Sequence, residues 1–292
     1  MFFLLASNDI FLKIYRMKAS WKWLPGALVL ISFFSHQSRA AVFSTNSFSD
    51  AFVTTGPTGN FRGNNYGSAG ALGVSAPGLP KGEFQSVLQF DVSGAVSAFN
   101  NQYGAGQWRI QSVTLQLTAT APNNPIFNTS SAGQFQVNWM QNNSWTEGTG
   151  TPNAPTNNGI TYNTLHSTFV GPNDENLGTF AFNGATNGTA SYTLNLAPGL
   201  VSGLISGGDV SLDMFAADTN ISYLFDSRNL GTVGARPLLT IDAIPEPGFS
   251  LWSLVTLCFA SRRLFFRRSS TARLVSGAPA NGRRASERPR KP

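Results

Sequence analysis

Between residues 41 and 244 apolar and polar positions alternate in short runs, and no helical period stands out. Val113, Leu115, Leu117 and Ala119 fall on one face of such a run, with Thr114, Gln116 and Thr118 on the other. Phe135, Val137 and Trp139 alternate with Gln136 and Asn138, and Tyr192, Leu194 and Leu196 alternate with Thr193 and Asn195. Val210, Leu212 and Met214 repeat the pattern, and Leu239 with Ile241 closes it. Successive side chains on a strand point to opposite faces, so a period of two with polar outer positions describes half-buried antiparallel strands. Gly, Asn and Pro clusters separate the runs, as at Pro122–Pro125, Gly148–Gly159 and Ser206–Asp209. About eight to ten strands without intervening helices predict an all-β fold, an antiparallel jelly-roll-like β-sandwich. Val113, Leu115, Leu117, Trp139 and Leu194 are its expected core.

The two ends of the chain break the alternation. Met17-Lys18 and Lys22 form a basic start, Trp23 to Phe34 is apolar, and Ser38-Arg39-Ala40 places small residues where a signal peptidase reads them. This predicts a signal helix cleaved before Ala41, with an uncleaved N-terminal anchor as the alternative. Met17 is the expected initiator, and residues 1–16 read as an upstream extension. At the other end Pro245-Glu246-Pro247 can neither continue a helix nor lie inside a sheet, so it separates the sandwich from the C-terminal segment. The uncharged run Phe249–Ala260 is 12 residues long. A spanning helix needs about 20. Arg262-Arg263 and Arg267-Arg268 come next and favour the cytoplasmic side. The divisions are therefore a signal region over 1–40, a sandwich over 41–244, a sorting or anchor segment with an apolar helix over 245–268, and a basic disordered tail over 269–292.

This order of motif, apolar run and basic cluster resembles the PEP-CTERM sorting signal, carried by Pro245, Glu246, Pro247, Arg262 and Arg263. The resemblance implies an exported precursor held transiently in the inner membrane of a Gram-negative bacterium. It also implies an exosortase-type processing enzyme as partner and a mature protein at the cell surface or in the extracellular matrix. A simple membrane anchor, or a frayed gene end, is the alternative reading.

Charge changes the picture once it is divided by segment. The chain carries a net +6 with an isoelectric point near 9.8. Residues 41–248 nevertheless hold five basic residues, Arg62, Lys81, Arg109, Arg228 and Arg236, against twelve acidic ones, a net of −7. An acidic domain repels phosphate backbones, so nucleic acid is not an expected partner. The single cysteine, Cys258, falls in the C-terminal apolar run, which leaves the sandwich without thiol, disulfide or cysteine ligand.

Several short signatures succeed one another along the sandwich. Asp50-Ala-Phe-Val53 precedes Asn64-Asn-Tyr-Gly67, Val87-Leu-Gln-Phe-Asp91 and Ile110 to Leu117. Later come Ser144-Trp-Thr-Glu-Gly148, Asp226-Ser-Arg228 and Arg236-Pro-Leu-Leu-Thr-Ile241. In order and spacing they resemble a DNRLRE-type domain, a jelly-roll sandwich of bacterial surface proteins related to carbohydrate-binding modules. The resemblance implies contact with polysaccharide. The chain departs from it at Thr149–Thr161, a Pro/Asn/Gly loop, and at Asn229, where the family often has an acidic residue.

Candidate chemistry is sparse. His166 is the one histidine of the domain and has no nucleophile-elbow motif near it, so a Ser-His-Asp triad has little support. Glu147 and Asp91 are the carboxylates to weigh for glycoside hydrolysis. Asp91 is placed to accept amides at the turn into Ser93, and Glu147 to pair with Arg228 or Arg236, so no enzyme is expected. Loop acids at Asn173–Asn176 and Asp213–Asn220 are hard oxygen ligands of the kind Ca²⁺ takes, with Asp213 and Asp218 the candidates and solvated loops the alternative. Tyr66, Tyr103 and Trp145 are the rings that would stack on a sugar, Trp145 being equally readable as a core plug. The expected function is a non-catalytic exported surface or matrix protein that contacts polysaccharide. A matrix protein without a specific ligand and a polysaccharide-active enzyme are the alternatives.

Overall fold

The structure is a computed structural model that describes residues 40–120, 131–185, 187–230 and 232–246. Among the described residues there are eleven strands, with short helices between some of them. They are β1 (Ala41–Asn46), β2 (Ser49–Thr54), β3 (Ala71–Ser75), β4 (Phe84–Asp91), β5 (Trp108–Thr118), β6 (Gly133–Met140), β7 (Glu175–Phe182), β8 (Thr189–Leu194), β9 (Asp209–Ala216), β10 (Ser222–Asp226) and β11 (Leu238–Pro245). The fold is a mostly β, antiparallel sandwich. One sheet has the order β1-β11-β5-β8, and the other runs β10-β3-β4-β9-β6-β7 with β2 also paired to β4.

The alternation read from the sequence sets the registers. Val113 faces Leu194 and Leu115 faces Tyr192 across β5 and β8, so the apolar rows of the two strands coincide. Val113, Leu115, Leu117, Leu194, Leu239 and Ile241 from the smaller sheet pack with Leu88, Phe90, Phe135, Val137, Leu212 and Met214 from the larger one. Trp139 differs from expectation and is only half-buried. The register slips between Val137 and Asn138, and the ring lies under Gly199, where an added Cβ would come within 2.2 Å of it.

Helices between the strands are a correction to the all-strand reading. α1 (Ser93–Tyr103) buries Ala95 and Phe99, and α3 (Pro198–Ser206) buries Leu200 and Leu204, each pair one helical turn apart. α3 has Pro in its first turn and ends at Gly207 with φ 70°, the left-handed geometry that glycine adopts without strain. Phe99 meets Trp108 edge-on at 5.0 Å, and the Trp108 Nε1 donates to Asn100 Oδ1 at 2.7 Å. A single turn, α2 (Tyr162–Thr164), continues as a π-helical turn over Leu165–Phe169.

The opposite face of the larger sheet is also covered. Ala51, Val53 and Val87 on β2 and β4 pack with Met140, Trp145, Ile160, Tyr162 and Leu165 in a second apolar cluster. The Gly/Asn/Pro-rich segment after β6 is therefore a lid of packed backbone over the sheet. By internal contacts the chain divides between Ile244 and Pro245. The expected signal helix and C-terminal apolar helix lie outside the described residues.

Candidate functional site

The three rings expected to meet sugar go to three separate places. Trp145 is 4% exposed and its Nε1 donates to Ser211 Oγ at 3.0 Å, which makes it the plug of the second cluster. Tyr66 is 5% exposed and stacks on Phe52 at 4.7 Å in a third cluster with Phe84 and Leu224. Tyr103, at the end of α1, is half-buried against the sandwich core and donates through its hydroxyl to the Ala243 carbonyl at 3.1 Å. These rings are taken up by packing, and the structure does not bring them together as a stacking platform. The expectation fails at Tyr66 and Trp145 because a Gly-rich neighbourhood reads as open loop in a sequence, whereas here glycine marks close approach. A Cβ on Gly150 would stand 1.8 Å from the Asn65 carbonyl oxygen, and one on Gly67 would stand 2.1 Å from that of Glu147.

Asn65 and Glu147 organise that tightly packed region. Fully buried Asn65 donates to the Glu147 and Ile160 carbonyls at 2.7 and 2.8 Å, and its Oδ1 accepts from the Gly67 and Gly150 amides. Glu147 pairs with Arg228, through Nε at 2.8 Å and through the second guanidinium nitrogen, and also accepts from Asn229 Nδ2. Beside it Asp50 Oδ2 accepts from Ser47 Oγ and the Arg228 amide, while Oδ1 has no partner. Burial pushes the Asp50 carboxyl up to about 6. Glu147, Asp50 and Arg228 thus tie β2 and the covering segment to the turn after β10. Asp91 accepts from the Ser93 amide at 2.9 Å, and the Ser93 hydrogen bonds hold it below the usual range. Both carboxylates weighed for hydrolysis carry structural bonds.

The acids weighed for calcium are also separated by function. Asp213 on β9 pairs in register with Val87 and Asn138, beneath the covering segment, and its Oδ1 is unpartnered. Burial pushes its carboxyl up to about 8, with Asp174 and Glu83 adding to the rise. A neutral, enclosed carboxyl is a poor ligand for a hard cation. Asp218 accepts from the Gln134, Asn220 and Ile221 amides, and Asp174 accepts from the Gln141 and Gly171 amides. Among the described residues no three His, Cys, Asp or Glu side chains converge as a metal site.

A different surface gathers aromatic and charged groups. Tyr162, on α2, donates its hydroxyl to Glu83 Oε2 at 2.7 Å, and Glu83 Oε1 accepts from Gln85 Nε2 at 2.6 Å. The Arg62 guanidinium stands 4.8 Å over the Tyr162 ring, and the His166 ring meets that ring at 4.5 Å. Burial, with Glu83 next, pushes the Tyr162 hydroxyl up to about 12, and burial holds His166 below its ordinary value. Phe61, 38% exposed, flanks Arg62 in the chain and lies against Gly56. The sequence carries one signal of this group, the spacing of four between Tyr162 and His166, which places both on one helical face. Nothing in it points to Arg62 or Glu83. A pocket of about 300 Å³ lies at the β7 and β8 edges, lined by Leu117, Phe182, Asn183, Asn187, Thr189 and Tyr192 among others, with no charged side chain.

Pro245 ends β11 and Glu246 comes directly after it, while Pro247, Arg262 and Arg263 lie outside the described residues. No protein-family model matches the chain, and none of the curated proteins matches its sequence.

Proposed function

We propose that this chain is a non-catalytic exported protein of the cell surface or extracellular matrix, sorted through its PEP-CTERM-like segment and contacting polysaccharide. One observation carries the reading. Among the described residues the strands run from Ala41 to Pro245, so the sandwich opens at the expected signal-peptidase site and its last strand reaches the first residue of the proline motif. A folded domain bounded in this way is what export and then C-terminal processing would deliver. Setting β2, β3 and β10 aside, the order β1-β11-β5-β8 against β4-β9-β6-β7 is that of a jelly roll, in keeping with the DNRLRE-like resemblance. Fold alone licenses no ligand, and the polysaccharide contact rests on that resemblance. The engagement of Glu147 by Arg228 and of Asp91 by Ser93 favours binding over hydrolysis.

Deleting residues 245–268 tests the sorting step. The truncated protein is expected to shift from the envelope to the medium, or to stop before maturation. Identical fractionation of truncated and full-length protein would reject a sorting role for the segment. The burial of Trp145 and Tyr66 favours one alternative, a structural matrix protein without a specific ligand. That alternative requires retention on no polysaccharide at all.

A further inference from the structure

The surface around Arg62 has the chemistry of an anion-binding subsite. In a domain (41–244) with six more acidic than basic residues, Arg228 is committed to Glu147, whereas Arg62 is paired with no carboxylate among the described residues. Its guanidinium stands over the Tyr162 ring and also engages the Tyr162 hydroxyl, and the exposed side chain keeps further N–H donors for an incoming anion. The support beneath it is fixed. The Asn163 amide donates to the Arg62 carbonyl at 3.0 Å, and Tyr162 is anchored through its hydroxyl to Glu83, both of whose oxygens are occupied. A guanidinium held this way loses less side-chain entropy on binding than a free one.

Two further groups define what fits. Phe61 offers an exposed ring next to Arg62, seated on Gly56, where φ is 70° and a side chain would strike the ring. His166 adds an exposed imidazole against the Tyr162 ring. An exposed aromatic residue next in the chain to a guanidinium without a carboxylate partner suits a sugar whose ring stacks while its carboxylate takes the guanidinium. The site lies on an open surface, which suits a polymer running across it.

We infer that Phe61, Arg62, Tyr162 and His166 form a subsite for an acidic polysaccharide carrying uronate groups, an inference that rests on the polysaccharide contact proposed above and names its class. Glu83 acts as a positioning residue through Tyr162. Neutral glycans lack the group that Arg62 would recognise and bind at this surface weakly or not at all.

Binding of the purified full-length protein to polygalacturonate and to dextran, measured by affinity electrophoresis and calorimetry, tests this. The wild type is expected to bind polygalacturonate, more weakly as salt rises from 50 to 300 mM, about fourfold or more. Arg62→Ala and Phe61→Ala are each expected to weaken it at least tenfold with the thermal midpoint unchanged, Arg62→Lys to recover part of the loss, and Arg109→Ala to change nothing. Wild-type affinity for polygalacturonate in both Arg62→Ala and Phe61→Ala would overturn the subsite. Retention on dextran but not on polygalacturonate would overturn the acidic specificity and leave the polysaccharide contact standing. Retention on neither would reject both, in favour of a matrix protein without a ligand. Should Arg62→Ala unfold, Phe61→Ala and the uncharged polar variant Arg62→Gln decide the matter by the same criteria.

Discussion

Asp213 lies on the outer row of β9 between Val87 and Asn138, with one oxygen unpartnered beneath the covering segment, and it links folding to pH. Burial raises its carboxyl to about 8 from an unfolded value of 3.8, so the unfolded chain ionises first as pH rises. Its contribution is whole below about pH 4 and is lost progressively as pH climbs toward 8. Asp50, raised to about 6, acts in the same direction but completes its change lower. Asp91 and Asp218 are shifted downward, so what they contribute is already present above pH 4. Between pH 6 and 8 the wild-type melting temperature is therefore expected to fall, and Asp213→Asn is expected to flatten that slope and raise the midpoint at pH 8. Equal slopes in the two proteins would show that Asp213 does not carry the effect. The sequence shows only an acid on the polar row of the Val210–Met214 alternation, a row that reads as solvent-facing, and the covering segment is what makes Asp213 a buried acid.

At the scale of elements, strands with clear alternation are legible in the sequence and helices are not. β5 shows why. Val113, Leu115 and Leu117 are all buried, and their polar neighbours face outward, because a single apolar face leaves one register possible. Leu115 is fully buried between the sheets, and Leu115→Ala is expected to cost about 2–5 kcal/mol in urea or thermal unfolding. A loss under about 1 kcal/mol would place Leu115 outside the core, against the sandwich as described. α1 and α3 escape a reading by periodicity because each is short and has only two fully buried apolar residues, too few for a helical period to rise above a Ser/Asn/Gly background. Their end signals are nonetheless present, in Pro198 and Gly207 for α3 and in Gly104 after α1. Gly148–Gly159 has the composition of a loop and holds no strand. Asn65 and the close-packed glycines still make it part of the second layer, and long-range hydrogen bonds of that kind leave no periodic trace.

For the molecule as a whole, charge and architecture separate along the same boundaries. The sandwich is acidic, and the basic residues that give the chain its net positive charge concentrate in its two ends. Basic ends around a domain of net −6 are in keeping with the export and processing proposed above. The strand-rich character of the described residues is legible because the alternation of apolar and polar positions runs through them. The candidate sugar site is not, since its members come from residues 61, 62, 83, 162 and 166 and meet only through the covering segment. N-terminal sequencing with intact-mass measurement of the protein recovered from the envelope or medium of a Gram-negative host with an exosortase tests the account most directly. The mature chain is expected to begin at Ala41 and to lack the basic tail beyond the proline motif, whereas a mature protein that retains Met1 or Met17 together with residues 269–292 would contradict it.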